Sequence, residues 1–272
     1  MQAVTLTKLN RTFVEKVWGI DRLPAPFPHP ISGRIGEVWY EPAAPLSDLL
    51  VKRLFTSERL SVQVHPSDDQ ARALGLGQTG KEEAWIIRSA EPGAMIALGF
   101  RRAVSPEDMR AAALDGSIME LLAWHEVKAG DVFHIPPGTV HAIGNGIDLL
   151  EVQQNCDITL RLFDYGRPRE LHLDQAIEVA EGAIYSAARR STIDTAGGVL
   201  VDGPYFRIRH CPGGDASLIE NRSASPALII PWRGDCVAFG TSLNDGDCYC
   251  GTILASDIAG AACDVLIVEP VV

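Results

Sequence analysis

Short runs of β-branched and aromatic residues, broken repeatedly by glycine and proline, set the pattern of the chain. GEVWYEP (36–42), LSVQVHP (60–66), EAWIIRS (83–89), AMIALGF (94–100), DVFHIPP (131–137), IDLLEVQQ (147–154) and TLRLFDY (159–165) each have the length and composition of a strand between turns. Successive side chains on a strand face opposite ways, so Ser61, Gln63 and His65 share one face of SVQVHP while Val62 and Val64 take the other. Helical signals are few. Ser105 before Pro106, Glu107 and Asp108 predicts an N-cap and a helix ending at Gly116; a second short helix is predicted over 118–123 and a third over 173–184. Beyond about residue 195 the strand pattern returns in YFRIRHC, PALIIPW, DCVAFGT, DCYCGTI and DVLIVEP. Strands, a helical connector and strands again predict a mostly β protein of two β-barrels or sandwiches in tandem, with a few short helices. The expected division is a larger domain over 1–190 and a smaller β domain over 191–272.

Composition narrows the function classes. At 272 residues and 46% hydrophobic content the chain can bury a substantial core, and it has no apolar run long enough for a membrane-spanning helix. The opening residues MQAVTLTKLNRTFVEK lack the apolar segment of a signal peptide, which leads to the expectation of a cytoplasmic protein. A net charge of −11 argues against nucleic acid as a partner, so any anionic ligand must be held by a few local cations. The six cysteines (Cys156, Cys211, Cys236, Cys248, Cys250, Cys263) form no CxxC pair and are expected to be reduced, with Cys248 and Cys250 as packing residues.

The block GDVFHIPPGTVHAIGN (130–145) matches, in its spacing of Gly130, Pro136, Gly138, His141 and Asn145, the second motif of the cupin superfamily. That resemblance implies a small jelly-roll barrel with His141 as an interior metal ligand. The first cupin motif supplies HxH followed by Glu; here Gln63-Val64-His65 stands in its place, and the acid is delayed to GKEEAW (80–85) by the loop PSDDQARALGLGQT. SVQVHP, this later Gly-Lys-x-Glu, VWG (17–19), GEVW (36–39) and DITLRLFDYGRPRELH (157–172) together resemble the type I mannose-6-phosphate isomerases in their short bacterial form, densely from about 13 to 180 and thinly beyond.

The resemblance implies one zinc ion per chain, on Gln63, His65, Glu83 and His141. Glu83 rather than Glu82 fits Gly-Lys-x-Glu, and strand alternation places Lys81, Glu83, Trp85 and Ile87 on one face, with Glu82 expected to point outwards. Two imidazoles, a carboxylate and an amide suit zinc and leave room for water or substrate. The implied reaction is interconversion of mannose 6-phosphate and fructose 6-phosphate through an enediolate. By the same resemblance Arg161 is the catalytic arginine, Asp157 serves ring opening, Glu151 is a pocket acid or base, and Lys81 binds phosphate, positions an oxygen or acts as an acid if the nearby metal lowers its pKa. Ser61 and Trp18 are expected at the substrate pocket, His134 in a structural role and His125 at the surface. The C-terminal half, whose NDGDCYCGT (244–252) lacks the Pro-x-Gly-x-x-His continuation, is expected to be a cupin without a metal site, acting as a packing partner or lid. The expected partner is a sugar phosphate, with no nucleic acid or membrane, and the chain is expected to be a monomer or weak homo-oligomer. Two readings stand beside this one: another metal-dependent cupin enzyme, acting on a different sugar or as an iron dioxygenase, and a non-catalytic sugar-binding protein. Gln63 in place of a first histidine disfavours redox iron, and Lys81 with Arg161 favours a phosphorylated substrate.

Overall fold

The computed structural model describes residues 6–28, 33–215, 225–238, 241–253 and 264–271; Cys263, and Phe239 and Gly240 of the DCVAFGT run, lie outside them. The described strands form open antiparallel sheets of seven, five and six strands and one two-stranded ribbon. The seven-stranded sheet is central, with strand order Arg190–Thr192, Asp131–Ile135, Glu83–Ala90, Ile147–Gln154, Leu49–Thr56, Ile35–Tyr40 and Arg11–Ile20. One of its faces packs against the five-stranded sheet (Leu160–Phe163, Val62–Val64, His141–Ile143, Met95–Phe100, Leu122–Glu126) through Leu54, Trp85, Ile87, Phe133, Ile96 and Leu98. Its other face packs against the six-stranded sheet through Val51, Ala84, Ile86, Val152, Phe206 and Leu266. Being covered on both sides explains why all eight residues of Leu49–Thr56 are buried, Lys52 and Arg53 included.

The outer face of the five-stranded sheet is covered by helices. Val62, Val64 and Leu160 meet Met109, Ala112, Ala176 and Val179 there, so Val62 and Val64 face away from Gln63 as the alternation predicts. The helix Pro106–Asp115 has the expected ends: Ser105 Oγ accepts from the Asp108 amide at 3.1 Å, and Gly116 closes it at φ 85°, a conformation that favours glycine. The other two predicted helices are shorter than the sequence suggested, at Ile118–Leu121 and Leu173–Val179. Leu122 is claimed by the strand Leu122–Glu126, and residues 181–183 spend their backbone groups on Gly138, Val104 and Phe100 instead of on another helical turn. A helix not predicted, Asp68–Ala73, lies in the loop between His65 and Glu83, where Ser67 and Gln70 form a reciprocal capping box.

The C-terminal half is a packing partner rather than a lid: it lies behind the central sheet. The NDGD segment fastens it there. Arg88 Nη2 is 2.7 Å from Asp245, Tyr40 Oη donates to the Gly246 carbonyl at 2.7 Å, and Arg11 Nη1 is 3.6 Å from Asp247. Cys156, Cys211, Cys248 and Cys250 are free and buried. His210 is buried and paired with Asp264, and among the described residues no second cluster of metal-binding groups surrounds it. No helix among the described residues is long and apolar enough to cross a membrane. Phe206, fully buried between the six- and seven-stranded sheets, is a sensitive test of this layering. Phe206→Ala is expected to cost about 3–5 kcal/mol, read as a lower urea midpoint; a loss below about 1 kcal/mol would mean the two sheets are not tightly packed there.

Candidate active site and metal centre

The pairing of strands brings the chemistry together. In the five-stranded sheet Arg161 lies directly opposite Gln63, and Gln63 opposite His141, so one row across three strands carries all three. On the facing sheet Trp39, Lys52, Glu151 and Trp85 follow one another across four strands. The two rows look at each other across the gap between the sheets.

His65, Glu83 and His141 converge at the inner end of that gap. Their donor atoms all lie within 4.8 Å of one another. His141 Nε2 is 3.4 Å from Glu83 Oε1, and His65 Nε2 is 3.6 Å from Glu83 Oε2. Zinc bonds of about 2.0–2.1 Å in a tetrahedron place neighbouring ligand atoms roughly 3.4 Å apart, so the spacing suits that ion. Each imidazole is fixed in the matching tautomer: Nδ1–H of His65 donates to the Ile158 carbonyl and Nδ1–H of His141 to the Thr139 carbonyl, both at 2.8 Å, leaving each Nε2 lone pair aimed inwards. Burial holds both histidines neutral, His141 down to about 4 and His65, with Lys81 adding to the effect, well below its usual range. Glu83 is fully buried and Oε1 accepts no hydrogen bond, an arrangement that a cation completes.

Gln63 is placed beside this trio but turned differently from the expected oxygen ligand. Its Nε2 faces His141 Nε2 at 3.3 Å, and its Oε1 accepts from Ser61 Oγ at 3.1 Å. Turning the amide over by 180° presents Oε1 to the cluster and leaves Nε2 to donate to Ser61, which is why a buried serine on this face is useful to the site.

Lys81 ties the trio to the rest of the cavity. Its Nζ is 2.6 Å from Glu83 Oε2 and 3.6 Å from Glu151 Oε1, and it donates to His65 Nε2 at 3.3 Å. Although burial pulls the other way, Glu151 and Glu83 hold Lys81 above the usual ammonium range: two carboxylates outweigh desolvation. Burial raises Glu83 to about 7 against the pull of Lys81. Glu151 goes the other way, to about 2, because Lys81 and Lys52 together overcome its burial and Trp85 Nε1 donates to it at 3.1 Å. Glu82 also differs from expectation. It does face away from Glu83, but towards the six-stranded sheet rather than solvent; its carboxylate is buried 3.1 Å from His134 Nε2 and packs on Gly203. His134 thereby has the structural role expected of it, and His125 is half buried rather than at the surface.

In front of the trio opens a cavity of about 330 Å³, lined by Gln63 and Lys81 at its inner end and by Ser61, Trp18, Glu151, Asp157 and Arg161 around it. Asp157 is at its exposed rim; Trp18 is buried in its wall. Five cationic side chains (Lys16, Lys52, Lys81, Arg161, Arg169) against three carboxylates (Glu37, Glu151, Asp157) make this pocket locally positive in a chain of net charge −11, as an anionic substrate requires. Arg161 is half buried and its Nε has no hydrogen-bond partner, leaving donor capacity for a ligand. Lys52 was missed by sequence reasoning, although a charged residue inside the apolar run LLVKRLF is itself a signal. Its Nζ lies 3.4 Å from Glu151 Oε1 and 4.5 Å from the centre of the Trp39 ring, and Trp39 Nε1 donates to Glu37 at 2.6 Å. Glu37 and Trp39 reach the cavity through strand pairing and Arg169 through its ion pair with Asp164; all three lie in stretches that carry the resemblance, but none was singled out as a site residue.

No family model matches the chain. It is 40% identical over 195 residues to the mannose-6-phosphate isomerase ManA of Bacillus subtilis (strain 168), a match covering 67% of this chain and 60% of that protein. It is 42% identical over 170 residues to the mannose-6-phosphate isomerase of Streptococcus mutans, covering 59% and 53% respectively. The chain thus spans between half and two thirds of the curated relatives it matches. Among solved structures, the mannose 6-phosphate isomerase of Bacillus subtilis superimposes with a TM-score of 0.78 at 24% identity, over 98% of this chain and all of that one. A mannose 6-phosphate isomerase bound with zinc and yttrium superimposes with a TM-score of 0.72 at 14% identity, again over 98% of this chain and all of that one. Over the matched stretch the chain is similar in sequence to mannose-6-phosphate isomerases, and over its length it shares their fold.

Proposed function

We propose that the chain is a zinc-dependent aldose–ketose isomerase that interconverts mannose 6-phosphate and fructose 6-phosphate through an enediolate. The observation that carries this reading is the convergence of His65, Glu83 and His141 at the inner end of a cationic cavity. The names of the two curated relatives, both mannose-6-phosphate isomerases, support the substrate.

His65, Glu83 and His141, with Gln63 as a fourth ligand after its amide turns over, are the residues that would hold one zinc ion. Zinc there supplies fixed positive charge that favours an oxyanion on the sugar. The sugar lies in the cavity with its ring opened at the rim by Asp157. A base takes the C2 proton as the C1 carbonyl becomes an enediolate oxygen; the O2 hydroxyl proton then passes to O1, C1 regains the proton from the base, and O2 becomes the carbonyl. Glu151, which lines the cavity between Lys81 and Lys52, is the carboxylate this reading assigns to carry that proton. Lys81 and Arg161 hold developing negative charge with fixed donors, Arg161 through a planar fork that also suits a phosphoryl group. Ser61 orients Gln63, and Trp18 forms the apolar wall beside them. The facing five- and seven-stranded sheets form one cupin-like unit in this reading, and the C-terminal sheet a second, divided near residues 190 and 191. The strand Thr7–Lys8 crosses that division to join the C-terminal sheet.

A coupled assay of the two sugar phosphates, run with chelator and after adding zinc back, tests the proposal. Activity should fall at least about tenfold with chelator and return with zinc. Full activity in metal-free protein would remove zinc from the mechanism; a folded, zinc-loaded protein that turns over neither sugar would remove the substrate.

A further inference from the structure

The segment that carries Lys81 and Glu83 is not held by a sheet until Glu83, where its strand begins. Its three preceding amides are nevertheless all satisfied. Gly80 N–H donates to Asp68 Oδ1 at 2.7 Å, Lys81 N–H to the Pro66 carbonyl at 3.0 Å, and Glu82 N–H to Gln154 Oε1 at 2.9 Å. Asp68 and Gln154 are themselves joined, since Gln154 Nε2 donates to the same Asp68 Oδ1 at 3.0 Å. The Gln154 backbone closes the figure by donating to the Glu82 carbonyl at 3.1 Å. Two side chains from distant parts of the chain therefore grip the backbone on either side of Lys81. Gly80 has no room for a side chain: a Cβ there would overlap the Pro66 carbonyl and the Ser67–Asp68 backbone.

The grip is built for purpose at both ends. The Ser67–Gln70 capping box fixes the first turn of the helix that presents Asp68, and Asp68 spends its carboxylate across the loop instead of on its own helix. Gln154 ends the strand that carries Glu151, three residues earlier, so one clamp links the two carboxylates that flank Lys81. Gln154 is buried, and a buried amide that satisfies a backbone N–H on one side and a carboxylate on the other has no freedom to turn over. Behind it lies a second cavity, of about 310 Å³, lined by Asp68, Thr79, Gln154 and Tyr205; it gives the segment space to move into if the clamp is cut.

We propose that Asp68 and Gln154 are positioning residues: they fix the backbone of residues 80–82 so that the Lys81 ammonium and the Glu83 carboxylate stay in register with His65 and Glu151. The proposal rests on the isomerase reading for its kinetic consequence, and on the hydrogen bonds alone for its structural one. Cutting the clamp leaves Gly80 N–H and the Gln154 amide without an acceptor, and shifts groups that must hold position to fractions of an ångström.

The experiment compares Asp68→Ala, Asp68→Asn and Val268→Ala, the last a core change in the C-terminal sheet that lowers stability away from the site. For Asp68→Ala, kcat with mannose 6-phosphate should fall about 10–100-fold, KM should change less than about threefold, and zinc affinity, measured by competition with a chromogenic chelator, should weaken about tenfold. Amide exchange across residues 79–85 should quicken. Asp68→Asn keeps an oxygen that accepts from Gly80 and should recover most of the loss, and Val268→Ala should leave kcat unchanged at a matched loss of thermal stability. An Asp68→Ala enzyme with kcat within twofold of the parent, or a Val268→Ala enzyme equally impaired, would overturn the positioning role. Should the parent protein show no isomerase activity, the functional reading fails while the clamp is still decided: unchanged exchange over 79–85 and unchanged zinc affinity in Asp68→Ala would reject it.

Discussion

His141→Ala is expected to remove most bound zinc and to lower turnover by more than about a thousandfold, equivalent to about 4 kcal/mol of transition-state stabilisation. His141 is fully buried, its Nδ1–H is committed to Thr139, and its Nε2 is 3.4 Å from a Glu83 oxygen that accepts no hydrogen bond. Truncation therefore removes one of three converging donors and leaves the carboxylate facing an empty space. Two imidazole–carboxylate contacts reduce to one, at a site too enclosed for a protein donor to replace the lost ligand. Metal analysis of purified protein, paired with circular dichroism, separates this outcome from unfolding. His134→Ala gives the contrast, because His134 pairs with Glu82 on the opposite face of the same sheet. That variant should lose stability but keep its zinc. Full zinc occupancy in His141→Ala would overturn the ligand assignment.

Arg161→Ala is expected to separate chemistry from metal binding: turnover should fall about 100–1000-fold while zinc content stays at the parent level. Arg161 stands directly across from Gln63 in the sheet, yet it makes no contact with His65, Glu83 or His141 that holds them in place. Its backbone is fixed at both ends by His172, which accepts from the Arg161 N–H through Nδ1 at 3.2 Å and donates its own N–H to the Arg161 carbonyl at 2.9 Å. The guanidinium is thus presented to the cavity by a rigid backbone with an uncommitted Nε. Arg161→Lys, which keeps the charge and loses the planar fork, should recover only part of the activity. Steady-state kinetics with zinc quantified in the same samples decides the matter; near-normal turnover in Arg161→Ala would make the arginine structural.

Much of the fold was legible because local rules and tertiary packing agree over most of the chain. The GEVWYEP, EAWIIRS and IDLLEVQQ runs became strands of the central sheet, and the helix from Pro106 to Asp115 took the cap and stop that Ser105 and Gly116 announce. Period-two alternation also separated Glu83 from Glu82 and Val62 from Gln63 without any structure. It did not reveal what lay on the far side. Glu82 was expected in solvent because a carboxylate on the outer face of a two-layer sandwich meets water; the six-stranded sheet adds a third layer there, and His134 becomes its partner. The over-long helix expected to reach residue 184 failed for the same kind of reason, since the backbone of 181–183 finds acceptors and donors on other strands that no local window contains.

The sequence by itself determined the strand-rich architecture and the alternation that puts Lys81 and Glu83 on one face and Gln63 and His65 on another. Those features depend on residues within a few positions of one another, where side-chain direction follows from the backbone period. Tertiary structure alone decided that Lys52 and Trp85 meet Glu151, that Lys81 lies between two carboxylates and is driven up rather than down in pKa, and that Asp68 reaches Gly80 and Gln154. None of these lies within a local window: strand register brings Lys52 and Trp85 to Glu151, and the fold of the loop between His65 and Glu83 brings Lys81 and Asp68 to their partners. Register is fixed by the burial of whole faces, and the balance of charge at a buried group is set by whichever neighbours that burial brings within a few ångströms.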